Sequence, residues 1–103
     1  MSIDRGTLLK AIYAAVDELN EQLEPERRLA KTEETLLFGD GAALDSLNLV
    51  NLVMAAEQQI LEQLDLEVVL ASEAAMSRRR SPYRSIGALT DYAHEIVSAE
   101  LPA

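Results

Sequence analysis

A chain of 103 residues with eighteen acidic and nine basic side chains, a formal charge of −9 and no cysteine makes one domain, residues 1–103, too small to enclose an enzyme-sized pocket. Without cysteine there is no disulfide framework, thiolate zinc site or cysteine nucleophile, and a reducing, cytoplasmic setting is expected. The negative charge repels nucleic-acid phosphates and favours partners with basic faces, which points to a binding or carrier module rather than a nucleic-acid binder.

No apolar run approaches the roughly 20 residues that span a bilayer. Met1-Ser2-Ile3-Asp4-Arg5 lacks the basic and then apolar order of a signal peptide, so no membrane insertion or export is expected. From Asp4 to about Leu23, apolar Leu8, Leu9, Ile12, Tyr13, Val16, Leu19 and Leu23 recur at helical spacing and predict a first helix. Pro25 ends that pattern within Glu24-Pro25-Glu26-Arg27-Arg28, or starts a short extra turn. A long connection then reaches Leu44. Its apolar Leu36, Leu37 and Phe38 are expected to tuck under the bundle, with Phe38, the single phenylalanine, as a core anchor.

A second helix is predicted from Ser46 to about Gln63. Leu47, Val50, Val53, Met54, Ile60, Leu61 and Leu64 fall on one stripe, and Asp45 stands where an N-cap belongs. The apolar segment Leu66 to Leu70 has the look of a strand but no partner strand. A short third helix is expected from Ser72 to about Ser77. Ser85 is placed to cap a last helix whose stripe is Leu89, Tyr92, Ala93, Ile96 and Val97. The expected fold is all-α: a small four-helix bundle with a long loop between helices one and two, a short helix three and a frayed Leu101-Pro102-Ala103 tail.

Ser46 lies in the first turn of the second helix, where free N–H groups and the positive end of the dipole favour a phosphate-linked group. Nothing in the sequence activates its hydroxyl: the single histidine, His94, lies on the last helix with no serine-histidine-acid pattern. A modification at Ser46 therefore needs an external transferase. The plain alternative is that Asp45-Ser46 is an ordinary helix cap.

The run Asp45-Ser46-Leu47-Asn48-Leu49-Val50-Asn51-Leu52-Val53-Met54-Ala55-Ala56-Glu57 resembles the second helix of the acyl carrier protein family. Ser85-Ile86-Gly87-Ala88-Leu89, followed by Tyr92 and Ile96, resembles the start of its last helix. The likeness extends from Leu36 to Val97, while helix one matches only in position and amphipathic character. It implies that Ser46 carries 4'-phosphopantetheine covalently, taken from coenzyme A, with Asp45 and Leu47 flanking the attachment site. It also implies that Leu47, Val50, Met54 and Glu57 meet partner enzymes; the plain alternative for Leu47, Val50 and Met54 is core, and for Val50 it is a serious rival. Those partners are a phosphopantetheinyl transferase, an acyl- or aminoacyl-loading ligase or transferase, and a downstream synthase or acyltransferase. The chain itself is expected to be a monomer and not an enzyme.

Three departures from the family pattern suggest a specialised rather than a housekeeping carrier. Asn48, Asn51, Gln58 and Gln59 stand where the family has acids, leaving only Glu57 charged. The second helix runs about one turn longer through Leu61-Glu62-Gln63-Leu64, and the link before the last helix holds Arg78-Arg79-Arg80. Alanine at 56, where the family often has a larger residue, would enlarge a cavity for apolar cargo. The rival reading is an unmodified helical interaction module that binds a partner through Leu47 and Met54.

Other signals have plainer explanations. The arginine run, with only Tyr83 as an aromatic companion, reads as a solvated loop or one paired with acids, not a nucleic-acid patch. Gly39-Asp40-Gly41-Ala42-Ala43-Leu44 lacks the third glycine and preceding strand of a dinucleotide loop. His94 has no second histidine or cysteine with which to complete a metal site, and Glu33-Glu34 lacks calcium-loop spacing.

Overall fold

The computed structural model describes residues 3–37, 44, 46–70 and 83–100, with the side chains of Ser46 and Glu100 excepted. Among these residues the regular elements are α1 (Arg5–Asn20), a 3-10 turn (Pro25–Arg27), α2 (Ser46–Leu64) and α3 (Ile86–Glu100). There is no strand among them, only an isolated bridge between Leu36 and Ser85. The chain is therefore all-helical and compact, with a radius of gyration of 13.0 Å. The expectations for Phe38, Asp45, a short helix over 72–77, Arg78-Arg79-Arg80 and the tail from Leu101 lie outside the described residues.

α1 buries Leu8, Ala11, Ile12, Ala15, Val16 and Leu19, the i, i+3, i+4, i+7 ladder of a helix seated on a core. Leu9 and Tyr13, by contrast, are only partly buried against it. The helix ends at Asn20 rather than Leu23. Its last turn tightens, with Gln22 N–H donating to Leu19 O and Leu23 N–H to Asn20 O. The side chain of Asn20 explains the stop: its Nδ2 donates to Leu29 O at 3.0 Å and its Oδ1 accepts from Leu29 N–H at 2.8 Å. That pair folds the chain back across the helix end, with Pro25 opening the intervening 3-10 turn as its fixed φ allows.

The connection after α1 is tied to α3. Thr35 O accepts from Ile86 N–H at 3.1 Å and Glu33 O from Gly87 N–H at 2.9 Å. Ser85 supplies the other two acceptors, its Oγ taking Ala88 N–H at 3.1 Å and its carbonyl taking Leu89 N–H at 3.0 Å. The N–H groups of Ile86, Gly87 and Ala88, which a helix start leaves open, are thus satisfied, and Leu89 N–H makes the first bond of the helix itself. Gly87 permits the approach, since a Cβ there would lie 3.1 Å from both Glu33 Cβ and Glu33 O. Arg5, at the start of α1, donates to Glu33, Asp91 and the Gly87 carbonyl, which joins three parts of the chain at one point. Its hydrogen bonds with Glu33 and then Asp91 hold the guanidinium pKa above its ordinary value.

Within this connection Leu37 is fully buried, but Leu36 is 46% exposed, contrary to the expectation that both tuck inward. The bridge with Ser85 is extended backbone, in which successive side chains point to opposite sides. One of the two leucines is therefore turned outward.

Candidate functional site

α2 begins at Ser46, the residue singled out for modification. Its apolar residues divide into two stripes rather than the expected single one. Leu49, Leu52, Val53, Ala56 and Ile60 are buried, whereas Leu47 is 70%, Met54 58%, Val50 44% and Leu61 40% exposed. At about 100° per residue the two sets lie roughly a third of a turn apart. The periodicity merged them because the helix is apolar over both arcs. Val50 belongs to the outward stripe, and the outward-facing leucines and methionine run on from the first turn for about 20 Å.

The predicted partner-contact residues differ in their surroundings. Leu47, Val50 and Met54 share the exposed stripe. Glu57 is half-buried, and its Oε2 accepts the Leu70 N–H at 2.7 Å. Of the amides at positions 48, 51, 58 and 59, Gln58 donates to Glu62 on the same helix at 3.2 Å. Gln59 donates to Glu18 at 3.0 Å, joining α2 to α1. Asn51 is exposed and lines a groove with Glu18, Leu19, Glu21, Gln22 and Ala55.

The segment after α2 is held by side chains instead of a sheet. Asp65 takes a left-handed conformation, φ 55°, and its N–H donates to Leu61 O at 2.9 Å, which ends the helix and redirects the chain. Val68 and Leu70 then point inward, while Glu67 and Val69 point out. Tyr83 Oη donates to Leu70 O, and the Tyr83 ring meets Tyr92 edge to face at 6.5 Å. Tyr83 is thus a buried part of the core. Val69, 65% exposed, and Leu61 were not singled out as surface features. The alternation through residues 66–70 is the signal that marks Val69.

Among the described residues, His94 is engaged through Nε2 with Ile3 O at 3.0 Å. No group of three or more histidine, aspartate or glutamate side chains there is arranged to hold a metal ion. No helix among the described residues is long and apolar enough to cross a membrane. What the arrangement offers is a serine in the opening turn of a helix and an apolar stripe leading away from it. No protein-family model, curated protein or solved structure matches the chain.

Proposed function

We propose that the chain is an acyl carrier protein in which Ser46 bears 4'-phosphopantetheine. One observation carries the reading: α2 opens at Ser46 while Leu47, Val50 and Met54 beside it remain exposed. The first turn of α2 holds no acidic residue, and the positive end of a helix dipole favours the charge of a phosphodiester there.

In loading, the Ser46 hydroxyl forms the new bond to phosphorus, the phosphoanhydride of coenzyme A breaks, and the nucleotide half departs. The serine proton passes to a base on the transferase. When attached, the group supplies a thiol that holds an acyl or aminoacyl unit as a thioester. The chain's own residues bind and orient. The α2 terminus favours the phosphate, and Leu47, Val50 and Met54 dock the transferase, the loading enzyme and the downstream synthase or acyltransferase in turn. Under this reading a short helix over residues 72–77 completes a four-helix bundle of the carrier type, and the working form is a monomer. The amides at 48, 51, 58 and 59 suit enzymes of a specialised fatty-acid, polyketide or related pathway, since a generic basic patch finds less attraction along α2.

The alternative, an unmodified interaction module, uses the same exposed Leu47 and Met54 and needs no chemistry at Ser46. Ser46→Ala separates the two. The carrier loses all loading while its helical spectrum is kept and its unfolding free energy falls by no more than about 1–2 kcal/mol. An unmodified module keeps its partner binding.

A further inference from the structure

Met54 stands midway along the outward stripe of α2, with Leu47 and Val50 before it and Leu61 beyond, and is 58% exposed. It also lines a groove of about 270 Å³ with Glu57, Gln58, Leu61 and Val69, so its flank is open to water and small solutes. The chain holds no cysteine, which leaves thioethers as its most oxidisable side chains. Of its three methionines, Met1 and Met76 lie outside the described residues. An exposed methionine alone is ordinary. Met54 is set apart by its place, the one thioether in a strip otherwise made of leucine and valine.

Oxidation changes what that strip can do. The sulfur lone pair attacks the outer oxygen of a hydroperoxide, and the S–O bond forms as the O–O bond breaks. The departing oxygen takes the peroxide's proton and leaves as an alcohol, or as water from hydrogen peroxide. Sulfur gives up two electrons and the peroxide is reduced. The product is a sulfoxide, polar and able only to accept hydrogen bonds. An apolar partner face closing over it would bury that acceptor unpaired, which opposes docking. The helix itself is kept, since the side chain is mostly in solvent. We propose that Met54 is a reversible oxidation site at which hydroperoxides switch off the docking face of α2. This rests on the docking role proposed above for that face. Reversal takes the oxygen off as water while two thiols of a methionine sulfoxide reductase become a disulfide, because the chain has no thiol of its own.

The test treats the full chain with hydrogen peroxide, locates the added oxygen by peptide mass, and measures loading by the transferase before and after. Sulfoxide at Met54 is expected to raise the KM of loading about tenfold with kcat unchanged. Met54 lies about 12 Å along the helix axis from Ser46, so it acts through docking and not on the hydroxyl. The helical spectrum is kept, and a methionine sulfoxide reductase with dithiothreitol restores KM. In Met54→Leu, whatever its starting KM, peroxide changes nothing, although Met1 and Met76 are still present. Sulfoxide at Met54 with KM unmoved overturns the proposal and leaves the carrier reading standing. The same follows from an equal loss in Met54→Leu, a loss that reduction does not reverse, a lost helical spectrum, or a Met54 left unoxidised while free methionine reacts. A reduced parent chain that takes no arm contradicts the carrier reading itself, and the switch with it.

Discussion

The Glu57 carboxylate and the Leu70 N–H are joined at 2.7 Å, a helix side chain serving as the backbone partner that a neighbouring strand would otherwise supply. Leu70 is fully buried, so its N–H has no water to turn to. Glu57→Ala is expected to cost about 1–3 kcal/mol in urea unfolding. Glu57→Gln, which keeps an acceptor oxygen, is expected to cost less. Equal losses for the two would show that the hydrogen bond is not what matters.

Gly87→Ala reverses the usual helix rule. Alanine ordinarily gains about 0.5–1 kcal/mol over glycine inside a helix. Here its Cβ would press to 3.1 Å on the Glu33 backbone carbonyl, which itself accepts the Gly87 N–H. A net loss of about 1–3 kcal/mol is expected in denaturant unfolding, and a gain would contradict the described seating of the loop.

Asp65 holds φ at 55°, where a side chain carries a steric cost that glycine avoids. Asp65→Gly is expected to stabilise by up to about 1 kcal/mol, and Asp65→Val to destabilise by about 1–2 kcal/mol. Thermal unfolding of the pair checks both signs.

The two stripes of α2 separate stability from docking. Ile60→Ala or Leu52→Ala, at fully buried positions, is expected to cost about 2–5 kcal/mol. Leu47→Ser and Met54→Ser are expected to stay within about 0.5 kcal/mol of the parent while slowing loading by the transferase. A large stability loss from either surface change would place those residues in the core.

The fold was legible where a single periodicity decides it. The helical character of α1, the onset of α2 at Ser46 and the capping of α3 by Ser85 all follow from residue spacing and cap chemistry. It was not legible where the deciding contact is distant in sequence. Asn20 stops α1 through Leu29, Tyr83 is drawn inward by Leu70, and Gly87 is required by Glu33; none of these pairs is marked by local pattern. At the candidate site the sequence supplied Ser46 and the outward Leu47 and Met54. It could not separate two adjacent apolar arcs on one helix, and so left Val50 open and passed over Leu61 as a surface residue.

The central claim is tested most directly by intact mass after incubation with a broad-specificity phosphopantetheinyl transferase and coenzyme A, with Ser46→Ala alongside. The account predicts one added phosphopantetheine on the parent chain and none on the variant. A parent chain left unmodified while a control carrier is modified in parallel, or an equal addition to Ser46→Ala, would contradict it.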